Sequence, residues 1–574
     1  MMQTQRTILW VIFVMSLLFL WDSWQKHNGR QSLFGGPPPS SQSAPGAGGL
    51  PAQPGQSSGA GDATIPSAPT APASGAAGQA GQPVASAPAS VAATGRLIRM
   101  QNDVMLMDVD TMGGQIRRVE LLKHREESNR KDSGNLLMLS SEPGRVFLAQ
   151  TGLVGAEGLP NHNVPMTVVS QAPDAAAPAG TAELVMASEG GGARVERRYR
   201  LLPGSYEIQV ETRVANQSEK PLSPTLYMQL TRDGNPAPGA SGMYSTYTGP
   251  VVYTEAEKFQ KVDFTEIEKG KAKHSARGDN GWVGIIQHYF ATAWVPKQGV
   301  QREYYTRRIE NNLYSVGALE PLGQIAPGQT VTNEATLFVG PQDHQILERV
   351  APGLELVRDY GWLTAIAKPL FWLLEALHQI VGNWGWAIVL LTILVKLAFF
   401  PLQAASYRSM AKMKKVTPKL TALRERYGSD RVKMNQAMME LYKTEKINPL
   451  GGCLPIVVQI PVFIALYWVL LASVEIRNAP WIGWIQDLST PDPWFILPVI
   501  MAATMFVQTR LNPTPPDPLQ AKMMLWMPLI FSVMFFFFPA GLVLYWVVSN
   551  LFSIAQQWVI TRRIEGKPVF GRAQ

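Results

Sequence analysis

One stretch of the chain, residues 383–402, reads NWGWAIVLLTILVKLAFFPL and is apolar enough to cross a bilayer except at Lys396. Lys396 is the only charged side chain between Glu375 and Arg408. A lysine near the membrane centre costs roughly 2.5–3.5 kcal/mol on insertion scales, so it usually faces a partner or a hydrated cavity. At a rise of about 1.5 Å per residue, Lys396 lies ~20 Å from the start of the stretch and ~9 Å from its end. It therefore belongs to the second half of this span.

Two interpretations of Lys396 follow from its position. A long lysine side chain near a helix end extends its ammonium to the nearer membrane interface, where water solvates it. Alternatively, the ammonium lies in a hydrated cavity inside the membrane, which would make it a functional group. The residues around Lys396 leave both interpretations open.

Runs of apolar residues predict six transmembrane helices. The last run, 523–560, would measure ~57 Å as one helix, well beyond the ~30 Å hydrocarbon core. Pro539, Ala540 and Gly541 interrupt this run near its middle. We therefore predict two helices there, joined by a tight turn. The other four predicted spans are 8–21, 383–402, 453–473 and 494–508.

The charges between these spans predict their orientation. Segment 405–446 carries 11 basic and 4 acidic residues and the tail 561–574 is net +3, whereas 474–493 is net −2. Cytoplasmic loops carry the excess of Lys and Arg, so the two basic segments are predicted to be cytoplasmic. Both termini are then cytoplasmic, and residues 25–382 are largely periplasmic in a Gram-negative cell. The net charge of +8 favours anionic lipid headgroups over any specific nucleic acid.

The first 95 residues predict an anchor and a linker. Residues 1–24 contain an apolar helix without a small-residue cleavage site after it, which indicates a retained transmembrane signal-anchor rather than a cleaved signal peptide. Residues 25–95 are rich in Pro, Ala, Gly and Ser, and Asp62 is the only charge in 35–95. Such a composition buries too little apolar area to offset its ordering entropy, so a disordered linker is predicted.

Residues 96–353 have the pattern of an all-β domain. Tyr206, Ile208, Val210, Thr212 and Val214 alternate with polar residues, which is typical of a half-buried strand. Gly, Pro and Asn separate this strand from other strand-like runs. A large antiparallel sandwich is the predicted architecture. The other runs are 194–201, 225–231, 282–295 and 331–339, and His288 within one of them is expected to be structural.

Residues 354–381 change to a helical period. The apolar positions recur at three- and four-residue spacing, but Lys368, Glu375 and His378 give the segment too much charge for a comfortable span. An amphipathic helix lying at the membrane interface is predicted, kinked at Pro369.

Segment 404–446 predicts a cytoplasmic hairpin of two helices. Each arm carries an apolar stripe rich in methionine, and Gly428, Ser429 and Asp430 supply the stop and the next helix cap. The charges either form an ordinary solvated face or, with the methionines, a surface for ribosome, lipid or nascent chain. The candidate residues for such a surface are Met410, Met413, Lys414, Lys415, Arg424 and Arg426.

Three blocks of the sequence resemble one known family. SMAKMKKVTPKLTALRERYG (409–428), NPLGGCLPIVVQIPVFIALYWVL (448–470) and FPAGLVLYWVVSNLFSIAQQ (538–557) are similar to the YidC/Oxa/Alb family of membrane-protein insertases. The anchor, linker and β domain resemble its Gram-negative form. That resemblance implies a periplasmic β-supersandwich like those of sugar mutarotases and a five-helix insertase core at 382–560, followed by the basic tail.

The resemblance also implies a hydrophilic groove in the inner leaflet, open to the cytoplasm and to lipid but closed to the outside. Lys396 matches the family's groove cation, although most bacterial relatives are expected to have Arg there. Lys keeps the charge but lacks the planar guanidinium fork. Thr392 lies one turn before Lys396 on the same helix face, and Gln459 is the only amide or charged side chain in 453–473. The other implied groove residues are Tyr545 and the neighbouring Trp546.

The sequence lacks the signatures of several kinds of chemistry. No G-x-x-x-x-G-K-[ST] loop, H-E-x-x-H pair, Cys/His cluster or G-x-S-x-G elbow is present, so no cofactor, metal or catalytic activity is predicted. The predicted function is insertion and folding of nascent inner-membrane proteins, alone or with the Sec translocon. The implied partners are these substrates, the Sec translocon, membrane lipids and, weakly or transiently, the ribosome.

Two other functions are compatible with parts of the sequence. A secondary transporter would use Lys396 to bind substrate or couple ions, although no inverted repeat is evident among the spans. A membrane-anchored carbohydrate-binding protein would instead rely on the β domain.

Overall fold

The β domain and the helical region form two separate compact units. The computed structural model describes residues 64–67, 95–126, 133–173, 180–237, 247–427, 430–445, 454–512 and 518–565. The units divide between Arg358 and Asp359, slightly later than the predicted boundary after residue 353. The predicted signal-anchor (1–24) and the tail beyond Glu565 lie outside the described residues.

The first unit is an antiparallel β sandwich. In the described residues its strands form two nine-stranded sheets, of order β1-β2-β3-β4-β5-β10-β17-β16-β13 and β12-β11-β14-β15-β18-β9-β8-β7-β6. Two short helices, α1 (Phe264–Glu268) and α2 (His344–Val350), complete the unit. The strands are β1 Leu97–Gln101, β2 Met105–Asp110, β3 Ile116–Arg125, β4 Asn135–Glu142, β5 Arg145–Val154, β6 Thr167–Pro173, β7 Ala182–Gly190, β8 Ala193–Leu201, β9 Glu207–Asn216, β10 Thr225–Asp233, β11 Thr248–Thr254, β12 Lys258–Lys261, β13 Arg277–Gly278, β14 Trp282–Gln287, β15 Phe290–Pro296, β16 Arg302–Glu310, β17 Leu313–Pro321 and β18 Thr330–Pro341.

The alternating segment around 206–214 forms the strand that its period predicts. Strand β9 lies between β8 and β18, with Val210 opposite Tyr199 on one side and Ala335 on the other. All five apolar or Thr positions of the pattern are buried, because successive side chains of a strand point to opposite faces of the sheet. The half-buried strand is confirmed.

The run 282–295 is a hairpin rather than a single strand. Strands β14 and β15 pair with each other, and His288 lies in the turn between them with a φ of 39°. Both strands are buried on both faces, so the apolar run continues on either side of the turn. Because the sequence stays apolar on both sides of the turn, its composition did not reveal the turn. His288 is therefore a turn residue and not part of a continuous strand.

Residues 64–67 are ordered against the β domain, although the sequence predicts a disordered linker over 25–95. This short segment is hydrogen bonded to the β domain, and Ile65 packs against its apolar side chains. Ile65, a large aliphatic side chain in a tract rich in Pro, Ala, Gly and Ser, supplies the apolar contact.

The second unit contains a helix in each predicted span of the core. The run 523–560 forms two helices, as predicted. The break lies slightly earlier than the predicted 539–541, because a 3₁₀ turn at Phe535–Phe537 separates α9 from α10, and α10 already begins at Ala540. The helices are α3 Thr364–Val381, α4 Trp384–Ala398, α5 Phe400–Tyr427, α6 Arg431–Thr444, α7 Leu454–Ala472, α8 Ile496–Leu511, α9 Pro518–Met534 and α10 Ala540–Glu565.

Helix length alone does not give the predicted number of spans. Within the described residues, Ala540–Ile564 is long and apolar enough to cross a membrane by itself. The pair α4 and α5, bent by 66°, passes the same test together, and three further apolar helices are shorter. The count of six transmembrane helices stays a prediction.

The predicted interfacial helix starts later than expected. Residues 354–363 form two 3₁₀ turns, Leu354–Val357 and Gly361–Leu363, because Gly361 has a φ of 65° that an α-helix does not accommodate. Helix α3 then runs through Pro369 to Val381. Trp362 and Trp372 are 79% and 69% exposed, which suits a membrane interface, where tryptophan is enriched.

The loop between α7 and α8 packs on the start of α10. The backbone N–H groups of Ala540 and Gly541 donate to the carbonyls of Thr490 and Leu488 at 2.7 and 2.9 Å. These N–H groups have no partner within their own helix, because the first turn of a helix leaves its donors unsatisfied. The loop therefore fixes this end of the bundle.

We predict that Gly385→Ala destabilises the helical unit. A Cβ at this position of α4 would lie 2.1 Å from the ring of Trp481 in the same loop, so the ring must move. Overpacking of this kind costs about 1–3 kcal/mol. The thermal unfolding midpoint of the full-length protein in detergent should fall. Leu397→Ala, at a position on α4 that is 52% exposed, is the control and should change little; equal midpoints for the two variants would contradict this packing.

Candidate functional site

Lys396 is buried inside the helical unit and bonded to two other helices. Its side chain lies on α4, and the residue is 3% exposed. The Nζ donates to Ser553 Oγ of α10 at 2.9 Å and to Gln459 Oε1 of α7 at 3.4 Å. In the described part of this unit, the ammonium is therefore directed into the bundle.

Gln459 connects the lysine to a second serine. Its carbonyl oxygen accepts from Lys396, and its amide Nε2 donates to Ser549 Oγ at 3.4 Å. Ser549 and Ser553 are four residues apart on α10, so they share one face of the helix. The structure thus brings together two of the predicted groove residues, Lys396 and Gln459.

Thr392 does not join this hydrogen-bonded group. Its Oγ1 donates to the Ile388 carbonyl one turn earlier at 2.7 Å, and the residue is completely buried. Such back-bonding is common for threonine within helices and occupies the hydroxyl proton.

Tyr545 and Trp546 belong to an aromatic cluster one turn before Ser549. The ring centroids of Tyr545 and Phe463 lie 6.2 Å apart, and Trp546 packs edge-on against Phe463 at 4.5 Å. The Tyr545 hydroxyl faces Gln459 but makes no hydrogen bond of normal geometry among the described residues. The aromatic cluster therefore borders the hydrogen-bonded group of Lys396 and Gln459 on the side toward the start of α10.

Further polar residues extend this group away from the aromatic cluster. Ser549, Ser553, Gln556 and Gln557 follow the helical period along α10, and all four are buried. Helix α5, which packs against α10, adds two more buried side chains. We refer to the whole set as the polar strip, which consists of Lys396, Gln403, Ser406, Gln459, Tyr545, Ser549, Ser553, Gln556 and Gln557.

The sequence analysis did not predict the part of the polar strip at 549–557, although the sequence contains a signal for it. In SNLFSIAQQ (549–557) the serines and glutamines recur at spacings of four, three and one within a largely apolar span. That spacing places them on one helix face, as it does for apolar faces of soluble helices. Gln403 and Ser406 lacked such a signal, because they lie where span and hairpin meet.

Several amide atoms of the polar strip have no hydrogen-bond partner among the described residues. These atoms are Gln403 Oε1, Gln557 Oε1 and both polar side-chain atoms of Gln556. Burying an amide without a hydrogen bond costs about 1–3 kcal/mol by protein mutational measurements. Such atoms form hydrogen bonds with water or with a bound chain. The polar strip is therefore suited to contact with water.

The predicted hairpin forms, and its methionine stripe serves partly as its own core. Val416 and Leu420 are buried between α5 and α6, with Met413 and Met438 packed against them. Asp430 caps α6 by accepting from the N–H groups of the second and third residues that follow it, at 3.1 and 3.2 Å.

The basic candidates lie mainly on the outside of this hairpin. Lys414 and Lys415 are exposed, and Lys415 Nζ donates to the Ile564 carbonyl at the end of α10 at 3.0 Å. Arg426 is exposed over the ring of Tyr427 at 5.5 Å. Met410 is half-buried, and the side chain of Arg424 lies outside the described part of the chain.

Comparison with known proteins identifies the family. A family model described as the YidC periplasmic domain matches residues 97–373, and one described as 60Kd inner membrane protein matches residues 376–567. The chain is 53% identical over 568 residues to the membrane protein insertase YidC of Cupriavidus necator, with 98% of both chains covered. The chain belongs to the YidC family of membrane protein insertases. It is also 54% identical over 571 residues to the YidC of Bordetella pertussis, again with 98% of both covered.

Solved structures of the YidC family are also similar. A crystal structure described as active YidC insertase with the first transmembrane domain resolved is 17% identical, with a TM-score of 0.39. The match covers 81% of this chain and 92% of that one. A YidC from Thermotoga maritima matches with a TM-score of 0.32 at 14% identity, covering 81% of this chain and 97% of that one.

The family assignment and the fold decide several of the predictions from the sequence. The insertase function and the resemblance to YidC are confirmed, and so is the expectation that the chain is not an enzyme. A β sandwich joined to a helical region is confirmed as the architecture, and the inner membrane as the location. The assignment also decides against the transporter and the carbohydrate-binding protein.

We predict that Ser553→Ala slows insertion more than Ser549→Ala does. Ser553 supplies the shorter hydrogen bond to the ammonium, whereas the bond from Gln459 leads to Ser549. A hydrogen bond to a charged group contributes about 1.5–3 kcal/mol, part of which water replaces in a hydrated site, so a loss of roughly three- to tenfold is expected for Ser553→Ala. The rate of insertion of a small Sec-independent protein into proteoliposomes measures it. The reverse ranking of the two variants would contradict the assigned contacts.

Proposed function

We propose that the polar strip is a hydrated groove that receives the hydrophilic segment of a nascent membrane protein. One observation carries this proposal: Lys396 is buried among apolar helices yet bonded to polar side chains from two of them. From Tyr545 to Gln557 the strip extends ~18 Å along α10, a little over half of the ~30 Å hydrocarbon core. A polar segment that enters the groove has only the remaining part of the core to cross.

The lysine gives the groove its selectivity for charge. An ammonium among amide and hydroxyl groups attracts acidic side chains of the incoming chain, and it does so more strongly than in bulk water because the surroundings are less polar. Lysine offers a point charge with three donors rather than the planar fork of arginine. The attraction is therefore brief and tolerant of geometry, as a passing substrate requires.

The substrate itself supplies the driving force. As its apolar helix leaves the groove for lipid, it gains about 25 cal/mol for each Å² of apolar surface removed from water. The aromatic cluster around Trp546 and the loop on the start of α10 oppose entry of water from the other side. The process needs no covalent chemistry and no nucleotide.

The charges outside the spans support the orientation that we propose. Positive-inside placement puts the hairpin, both termini and the open end of the strip in the cytoplasm, and the β domain in the periplasm, with six spans. Thr392 and Trp546 are proposed to line the groove walls together with the polar strip, which includes Tyr545.

The hairpin is proposed to meet partners at the cytoplasmic surface. Its exposed lysines and Arg426 suit anionic headgroups and ribosomal RNA, to which they would bind weakly and in a salt-dependent manner. Cooperation with the Sec translocon is proposed from the family resemblance.

Replacement of Lys396 tests the groove. Lys396→Glu should reduce insertion of a substrate with an acidic translocated segment at least tenfold, because attraction becomes repulsion. Lys396→Ala should reduce it less, and Lys396→Arg should keep it near wild type. Insertion into proteoliposomes, scored by protease protection of the translocated segment, is the measurement.

A second substrate and a control variant make this test specific. The same substrate with lysines in place of its acidic residues should lose the dependence on Lys396 or reverse it. Lys412→Glu, an exposed hairpin position, serves as the matched charge reversal. Wild-type insertion of both substrates by Lys396→Glu would contradict the role of the charge.

A further inference from the structure

The β domain holds a short piece of the chain that precedes it. Residues 64–67 lie against the sandwich, more than 25 residues before its first strand. Arg307 donates to two successive carbonyls, Nη2 to that of Thr64 at 2.5 Å and Nη1 to that of Ile65 at 2.8 Å. Gln229 Nε2 also donates to the Thr64 carbonyl, at 3.0 Å. These contacts recognise a backbone rather than a particular side chain.

Other contacts recognise the side chains of the segment. Asn163 Nδ2 donates to the Thr64 hydroxyl at 3.3 Å, and His162 Nε2 lies 3.0 Å from it. The side chain of Ile65 packs on an apolar cluster of the sandwich, and Pro66 is buried. The cluster consists of Val154, Tyr227 and Leu319, and Tyr305 also packs against it.

The polar groups that bind the segment are themselves fixed by the domain. Gln229 is completely buried, and its Oε1 accepts from Tyr305 at 2.7 Å. Its Nε2 also donates to Gln150 Oε1 at 2.8 Å. His162 Nδ1 lies 2.5 Å from the hydroxyl of Tyr227, and both residues are buried. Buried networks of this kind hold their members in one geometry, so the binding groups are preorganised.

Tyr305 keeps its hydroxyl proton in this network, so it continues to donate to Gln229. Burial raises the pKa of Tyr305 well above its ordinary value, although the nearby Arg307 opposes the rise. The hydroxyl therefore remains a neutral donor to Gln229 across the physiological range. Arg307 also lies over the Tyr305 ring at 5.6 Å, which fixes the guanidinium on its aromatic side.

We propose that the sandwich carries a binding site for an extended Thr-Ile-Pro peptide, and that residues 64–66 of the same chain are its resident ligand. The hydroxyl and the aliphatic side chain give the site its specificity, while the carbonyl contacts of Arg307 give it affinity. Proline restricts the residue before it to extended conformations, so the segment is biased toward the bound form before it docks.

The sequence of the linker supports a selective site. Ile65 is the only isoleucine in 35–95. A second Thr-x-Pro at residues 70–72 has Ala at the middle position, which cannot fill the apolar cluster. Docking at 64 leaves 39 residues, 25–63, between the predicted anchor and the first fixed point, instead of the 71 residues of 25–95. The site thus sets how much chain separates the anchor from the β domain.

Binding of a peptide in trans tests the site. Thr64, Ile65 and Pro66 are replaced by Gly-Ser-Gly in the full-length protein, and a fluorescent peptide ATIPSA, the sequence of 63–68, is titrated by anisotropy. This variant should bind the peptide saturably and at least tenfold more tightly than the wild type, whose own segment competes. Adding Arg307→Gln should abolish the binding.

Two controls show whether this binding is specific. The peptide PTAPAS, the sequence of 69–74, should bind at least tenfold more weakly. A chain with Gly-Ser-Gly at 70–72 should behave as wild type. No saturable binding by the vacated variant, or equal binding of both peptides, would overturn the proposal.

Discussion

The helical unit depends on how a single lysine is accommodated among apolar helices. Lys396 lies on α4, and its ammonium donates one hydrogen bond to Ser553 Oγ on α10 and one to Gln459 Oε1 on α7. A buried charge is tolerated only when it is hydrogen bonded, so the faces that these three helices present to one another are constrained together. Extension of this side chain to an interface and a functional role are not exclusive, because the groove that we propose is open at one end and brings the interface to the ammonium.

The two ends of the bundle meet this constraint differently. Toward the start of α10, aromatic side chains pack together, and the loop after α7 accepts hydrogen bonds from the first backbone N–H groups of the helix. Toward its other end, Gln403 Oε1 and both polar side-chain atoms of Gln556 have no partner among the described residues and require water or a substrate. A membrane protein with one dry end and one wet end shortens the path of a polar segment without opening a pore. This asymmetry is the physical basis of the insertase mechanism that we propose.

Much of the architecture could be predicted from the sequence, and the exceptions have physical causes. Period-2 alternation located β9, and apolar runs with a Pro-Ala-Gly break located α9 and α10, because burial on one face or all faces leaves a direct record in the sequence. The turn at His288 was missed because apolar residues continue on both sides of it. Lys396 and Gln459 stood out as isolated polar residues, whereas Gln403 lay in a transition from apolar to polar sequence. The docking of Ile65 depends on a distant site, which composition does not encode.

The most direct test is the water accessibility of α10 along the polar strip. Single cysteines are introduced at Ser549, Ser553 and Leu551 in the full-length protein with Cys453 replaced by Ser, and inverted membrane vesicles are treated with a small membrane-impermeant thiol reagent. Leu551 is 50% exposed on the outer surface of α10 and would face lipid, so it is the control. A hydrated groove predicts rapid modification at 549 and 553 and protection at 551. Protection at all three positions, or equal modification of all three, would contradict the account.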